Sequence, residues 1–293
     1  MLISSHTSRF DTKHKLSPFE IVKLFADAGF EGYNLNMNLL IKDENYIFCQ
    51  DDYREQAQKL KEYADSLGIR ACATHSPYPT SFNDPDRTEQ AFEMLKRSIE
   101  ITSIIGATHT VIHPNQHLTY REHKEELKDI NIDFYKRLKP HAEKFGVKIA
   151  IENMWQWRHN FKNEIITDSV CSSADEFCEY VDMFPREHFC ACLDIGHIPL
   201  VGEDLEYIIR KLGDRIEVIH LHDNDFKADR HHLPFLGKID FKNVLDLLYE
   251  VGYKGDLNLE INGYVTCFPT ELLPSATKFS YDVAKYLKDN SKF

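Results

Sequence analysis

The sequence predicts a single (β/α)8 barrel, a TIM barrel, over residues 1–293. Three observations predict it. Short runs rich in β-branched and aromatic residues alternate strictly with longer stretches of helical periodicity, the pattern of parallel strands joined by crossover helices. Eight such units occupy 293 residues, the usual span of a closed barrel. No Pro/Gly-rich linker, low-complexity run or shift in composition divides the chain into domains.

The elements follow in order. Residues 2–5 form the first strand. A helix follows, with Ser17 as N-cap, Pro18 in its first turn and Glu20 three residues past the cap, a capping box; Gly29 ends it. Residues 32–36 are the second strand, followed by a helix over about 52–67 that Gly68 closes. Residues 69–75 are the third strand, and its helix runs over about 85–105 to Gly106. Residues 108–113 are the fourth, with a helix over about 119–145, kinked or interrupted at Pro140. The fifth unit pairs residues 147–152 with a helix at 172–181, and the sixth pairs 189–194 with 204–212. Residues 215–222 and a helix at 241–251 make the seventh. Residues 256–260 and a helix over about 270–287 make the eighth.

Composition narrows the class. Hydrophobic residues are 42% and charged residues 28%, ordinary for a soluble globular protein. The opening MLISSHTSRF lacks a basic stretch leading into an apolar one, and no apolar run approaches the roughly 20 residues that span a bilayer; a cytoplasmic protein without a membrane partner is expected. The seven cysteines contain no C-x-x-C pair, so reduced core thiols are expected rather than a disulfide framework. Cys190 and Cys192 alternate as two residues on one face of one strand would. The net charge of −12 disfavours a nucleic-acid partner, because phosphate binding wants a basic face.

The candidate chemistry sits where the apolar runs end. Those ends read ATHSPY (His75), VIHPN (His113), AIEN (Glu152), CLDIGH (Asp194 and His197), VIHLHDND (His220) and LEIN (Glu260). In a barrel, strand ends and the loops after them build the C-terminal mouth. Carboxylates buried there are costly unless paired or coordinated, and a metal ion answers that cost for several at once. Glu152, Asp194, His220 and Glu260 are therefore the principal ligand set. Three carboxylates and one imidazole suit manganese, magnesium or cobalt as readily as zinc. His75 and His113 could share Glu152 with a further ion, and His197, Asp229 and His231 could hold a third; these imidazoles favour zinc. Trp155 and Trp157 offer faces on which a sugar ring or a base stacks. His6, Asn34 and Asn36 end the first two strands within reach of substrate hydroxyls.

These strand ends resemble those of the xylose-isomerase-like barrel superfamily, over essentially the whole chain. That superfamily covers sugar and sugar-phosphate isomerases and epimerases, inosose and dehydroshikimate dehydratases, and endonuclease IV. In its ketose 3-epimerases, the positions matching Glu152 and Glu260 are metal ligands and the acid/base pair, and the position matching His197 contacts substrate. The nine zinc ligands of endonuclease IV correspond to His75, His113, Glu152, Asp194, His197, His220, Asp229, His231 and Glu260. The stretch after Glu152, NMWQWRHNFKN, replaces the small glycine-rich segment of that enzyme, and the loop after the second strand is acidic. Asp223, Asn224 and Asp225 stand where ketose 3-epimerases carry a Glu and an Arg.

The resemblance implies a metal-dependent isomerase or epimerase acting on a sugar-like small molecule, with Glu152 and Glu260 as bases and His197 as a substrate contact; position at the strand ends adds His6, Asn36 and Trp155 as candidate contacts. A dehydratase using the same proton abstraction is the alternative, and an endonuclease IV-like zinc phosphodiesterase on abasic DNA is the next. A homo-oligomer is compatible with the sequence.

Overall fold

The structure, a computed structural model, describes residues 1–159 and 165–293. Eight parallel strands make the barrel: β1 (Ile3–His6), β2 (Gly32–Asn36), β3 (Arg70–His75), β4 (His109–Ile112), β5 (Lys148–Glu152), β6 (Phe189–Asp194), β7 (Ile216–His220) and β8 (Leu257–Leu259). They pair in chain order, and β8 returns to pair with β1. The last seam closes at a bridge between Leu221 and Leu259. There the Leu221 N–H donates to the Asn258 carbonyl at 2.9 Å, and the Glu260 N–H donates to the Leu221 carbonyl at 2.9 Å.

Among the described residues, eight helices of eight residues or more surround it: α1 (Pro18–Ala28), α2 (Tyr53–Ser66), α3 (Pro85–Ile104), α4 (Lys124–Phe145), α5 (Ala174–Asp182), α6 (Leu205–Leu212), α7 (Phe241–Glu250) and α8 (Leu273–Asp289). The capping box of α1 is formed: the Glu20 N–H donates to Ser17 Oγ, and the Ser17 N–H donates to the Glu20 carboxylate at 2.8 Å. Gly29 ends α1 at φ 103°, a conformation that costs glycine little.

The start of the fourth helix, and the alternative that Pro140 interrupts it, need correction. It begins at Lys124 rather than near Thr119, because residues 119–123 close a turn of their own, in which the His123 N–H donates to the Thr119 carbonyl at 3.1 Å. It also continues without interruption through Pro140. A proline removes only one ladder hydrogen bond, and the buried Phe134, Tyr135, Leu138 and Ala142 hold this helix on both sides of it.

Strand periodicity explains where the site falls. Ile149, Ile151, Leu193 and Ile219 point outward into the layer under the helices. Their neighbours Ala150, Cys190, Cys192 and Val218 meet Val111 inside the barrel, as successive strand side chains must face opposite ways. Burying each large aliphatic side chain in the outer layer contributes about 1.5–3 kcal/mol. The next inward positions up the barrel are Glu152, Asp194 and His220. Two bulges complete the alignment. The β6–β7 register shifts between Ala191 and Cys192, so that Asp194 pairs with His220. The β2–β3 register shifts between Tyr33 and Asn34, so that Asn36 pairs with His75. All seven cysteines are free, and four of them are buried. No helix among the described residues is long and apolar enough to cross a membrane.

Candidate metal centre

The mouth gathers the strand ends into a buried polar layer. Glu152, Asp194, His220 and Glu260 each present one ligand atom within 4.8 Å of the others. His220 Nδ1 lies 2.9 Å from Glu260, 3.6 Å from Glu152 and 3.9 Å from Asp194. On one flank, His113 Nε2 and His75 Nε2 approach the other Glu152 oxygen at 3.1 and 3.6 Å. On the other, His197, Asp229 and His231 converge with His222.

Whether these residues suit a cation can be judged from their hydrogen bonds. Glu152 Oε2, His113 Nε2 and both ring nitrogens of His220 are buried yet make no hydrogen bond. Carboxylate oxygens lie close to several of these atoms, but not in line with an N–H. Distance without alignment is not a hydrogen bond. Buried polar atoms left over in this way call for another partner, and lone pairs aimed at one point suit a cation. The donor set of carboxylates and imidazoles is right for a divalent metal. In addition, His75 Nδ1 meets the Ser76 carbonyl at 2.9 Å and His231 Nδ1 meets the Glu260 carbonyl at 3.0 Å. A carbonyl only accepts, so each Nδ1 carries a hydrogen; His75 Nε2 keeps its lone pair free, whereas His231 Nε2 meets the Asp229 carboxylate at 2.8 Å and must give up a proton before it can bind a cation.

Burial and neighbouring charges compete throughout this layer. Burial disfavours ionised Glu152, but His113 and His220 outweigh it and hold the carboxyl well below its ordinary range. Burial opposes ionisation of Glu260 in the same way, and His220, His231 and His6 reverse the effect. Burial would likewise neutralise His231, but Asp229 and Glu260 lift its pKa to about 9. Against the same burial, His220 is raised well above 6.5 by Cys192, Glu260 and Glu152, and His197 by Asp194, Asp229 and Glu152. His6 goes the other way: burial, with His75 and His220 adding to it, lowers its pKa to about 3.

A signed pH prediction follows. Groups raised in this way carry protons at pH 7, and a metal needs their lone pairs, so metal uptake must release protons. Zinc affinity is expected to rise with pH through about 9, where His231 loses its proton, with the raised His220 and His197 acting in the same direction. Calorimetric titration in buffers of different ionisation enthalpy would measure the protons released. A metal-binding enthalpy independent of the buffer would contradict this charge assignment.

The other anticipated residues divide. Above the layer lies an open cavity of about 470 Å³, lined by His75, Tyr78, His113, Glu152, Trp155, Trp157, Arg158, His197, Asp229, His231, Glu260 and Asn262 among others. Trp155 sits on its wall, with Nε1–H donating to Asp229 at 3.3 Å. Trp157 is half exposed at its rim. His6 is buried below this surface, its ring 5.3 Å from His75 and its Nδ1 3.9 Å from Glu260. Asn36 is buried as well and donates to Asp11 at 3.1 Å.

Several participants carry no clear signal in the sequence. Tyr78 stacks on His113 at 4.8 Å. Asn153 holds Asp194 from both sides, accepting from its N–H at 2.7 Å and donating to its carbonyl at 3.0 Å. His222 is fully buried beside Asp194. For His222 a signal does exist: it lies two residues beyond His220, on the same face of an extended strand. Asp223 stands out in the sequence only as a departure from an epimerase pattern, yet it clamps a loop. One of its oxygens accepts from the N–H groups of Asn224, Lys238 and Ile239 at 2.9–3.1 Å, and the other accepts from Gly237 at 2.8 Å. Its backbone bridges to His232, which folds Asp229 and His231 back over the mouth. Gly263 allows that approach, since a Cβ there would stand 1.8 Å from the Arg230 carbonyl oxygen.

Comparison with known proteins gives a consistent picture. A family model described as a xylose isomerase-like TIM barrel matches residues 22–283. A fructoselysine 3-epimerase of Shigella flexneri is 21% identical over 260 residues, 87% of this chain and 89% of its own. A probable endonuclease 4 of Mycoplasmoides gallisepticum is 24% identical over 190 residues, 60% of this chain and 59% of its own. Among solved structures, that of the IolI protein with a bound zinc atom superimposes with a TM-score of 0.74 at 19% identity, covering 98% of this chain and 99% of the other.

Proposed function

The chain belongs to the xylose isomerase-like TIM-barrel family, and from that premise we propose that it is a metal-dependent isomerase or epimerase of a sugar or sugar phosphate. One observation carries the reading: two buried carboxylates, Glu152 and Glu260, flank the same His220 nitrogen at 3.6 and 2.9 Å beneath an open, tryptophan-lined cavity. Glu152, Asp194, His220 and Glu260 would hold a divalent ion, zinc or manganese first, with magnesium or cobalt also compatible with the donor set. Such an ion, when bound, would polarise a substrate carbonyl and so make the hydrogen on the adjacent carbon more acidic.

The residues of the chain do the rest. Glu152 and Glu260, on two sides of the ion position, remove a proton from that carbon and return it. His197, tied to the Asn153 carbonyl at 2.8 Å, presents Nε2 to the cavity for a substrate hydroxyl. Trp155 offers its face to the sugar ring. Asn36, already engaged with Asp11, and His6, below the cavity surface, shape the floor.

The test is incubation with ketoses, aldoses, their phosphates, inososes and keto-acids in deuterated water with added metal. Deuterium is expected at the carbon next to the carbonyl of the substrate turned over. An unsaturated product that has lost a β-hydroxyl would select the dehydratase reading instead. The presence of all nine positions that match the zinc ligands of endonuclease IV favours a nuclease as second reading. Against it stand the acidic loop after β2 and the bulk of Trp155 and Trp157 in the mouth. No incision of abasic-site duplex DNA is expected at physiological salt, and efficient metal-dependent cleavage would reverse the order of the two.

A further inference from the structure

We propose that Arg158 holds a phosphate group of the substrate at the outer end of the mouth cavity, and so selects phosphorylated over free sugars. The inference rests on the reading of that cavity as the substrate site.

The cavity wall singles Arg158 out. Among the described residues it is the only lysine or arginine on that wall. Other arginines close on carboxylates, as Arg54 does on Glu100, Arg137 on Glu89 and Arg215 on Asp182. Arg158 instead makes one hydrogen bond among the described residues, a long one of 3.4 Å to the Gln116 carbonyl. A guanidinium has five N–H donors, so most of this fork is unspent. Gln116 lies on the same wall. Its side-chain oxygen accepts from Ser169 Oγ at 2.9 Å, which leaves its amide nitrogen as a further donor.

The local fold holds Arg158 in place. Residues 154–158 run antiparallel to residues 166–170 as a two-armed strap. The Met154 N–H donates to the Val170 carbonyl at 3.2 Å, and the Gln156 N–H donates to the Thr167 carbonyl at 2.9 Å. Arg158 pairs with Ile166. The second arm is tied to the turn before α4 by Arg121, whose Nε–H donates to both oxygens of Asp168 at 2.9 Å. The strap starts next to Glu152 in the buried layer and reaches Trp157 at the rim, so it runs from the metal ligands to the outer end of the cavity. A side chain on a braced backbone loses less freedom on binding than one on a loose loop.

Charge decides what the fork is for. Glu152, Asp229 and Glu260 line the same cavity, and their carboxylates repel an approaching anion. A neutral sugar needs no cation here, whereas a phosphate dianion does. Guanidinium and phosphate form charge-assisted, commonly bidentate pairs. Three phosphate oxygens can use the fork and the Gln116 amide together, while a carboxylate offers two. The gap in affinity between the ester and the free sugar is then the specificity.

The probes are a hexitol 6-phosphate, the free hexitol and the matching hexonate, each titrated calorimetrically into the zinc-loaded full chain. None has a ketone or aldehyde, so binding is read without turnover. The hexitol phosphate should bind about 10–100-fold more tightly than the hexitol, the range for hydrogen bonds to a charged group, with the hexonate between them. Arg158→Met should abolish that preference while leaving hexitol affinity and zinc content unchanged. Arg158→Lys should keep part of it, since it retains the charge without the fork.

Equal affinity for the ester and the hexitol in the unaltered chain would overturn the proposal. So would a preference that survives Arg158→Met, which would put the phosphate on the metal, or a hexonate that binds more tightly than the ester, which would give the site to carboxylates. Zinc content and hexitol affinity report whether each variant is folded, and Arg158→Gln is the second neutral variant should Arg158→Met fail them. The isomerase reading fails separately, by absence of deuterium exchange on every substrate offered, because binding of the hexitol phosphate involves no proton transfer.

Discussion

Glu152→Gln and Glu260→Gln are each expected to slow turnover by about 10²–10⁴-fold, the usual cost of losing a general base. Glutamine keeps the shape of the side chain and one oxygen able to coordinate, but it cannot accept a proton. Both carboxylates are almost fully buried, and both are held ionised by the imidazoles around them, against burial. Each is therefore in the unprotonated form that a base requires. The measurement is kcat on whichever substrate shows deuterium exchange, at saturating metal, with the exchange rate followed in parallel. Because the amide also removes a negative charge from the ligand set, metal content has to be determined for each variant. A fall in rate at full metal occupancy separates base chemistry from loss of the ion. If both variants keep full activity while loaded, the acid/base assignment is wrong.

The second large effect concerns the loop clamp. Asp223→Ala is expected to lower stability by about 3 kcal/mol, because the N–H groups of Asn224, Gly237 and Ile239 lose their acceptor together while the Lys238 N–H keeps the Asn224 carbonyl at 2.9 Å, and each donor left unsatisfied costs about 1–3 kcal/mol. Asp223 itself is completely buried, whereas its partners Gly237 and Lys238 lie at exposed positions of the loop. The readout is the urea midpoint of metal-free protein, taken with an unchanged slope as the sign that only stability has moved. Asp223→Asn should fall between the two, since one amide oxygen can still accept. The clamp also holds Asp229 and His231 in place, so weaker zinc binding should accompany the loss of stability. A shift in stability of less than about 1 kcal/mol would show that the four hydrogen bonds are replaced by water or by a rearranged loop.

Much of the fold is legible in the amino-acid sequence. The β/α alternation predicts the barrel, Ser17 and Glu20 predict the start of the first helix, and Cys190 and Cys192 predict one inward strand face. All are local patterns, set by periods of two and 3.6 residues and by caps a few residues long. The same alternation makes the strand-end residues legible as a group, because a parallel barrel sends every strand toward the same mouth. The fold brings Glu152, Asp194, His220 and Glu260 within reach of one point.

Other features cannot be read locally. The bulge at Ala191/Cys192 decides that Asp194 faces His220; without the shift every side chain beyond it on one strand would turn to the other face. Pairing between two separate strands sets that register, and neither strand encodes it alone. The start of the fourth helix at Lys124 reflects a competing turn. The burial of His6 below the cavity depends on neighbours from β3, β7 and β8, brought to it only when the barrel closes. Asp223 looks like a departure from a catalytic pattern until its four amide partners, up to 16 residues away, come into contact with it. His222 reaches Asp194 only because Gly196, from another strand's loop, leaves space for its ring. The sequence by itself determined the barrel and which strand ends carry charged or imidazole groups, because those follow from short-range periodicity. Which of those groups share a point, and which loop residues join them, was decided by tertiary structure, because that depends on register and closure between segments distant along the chain.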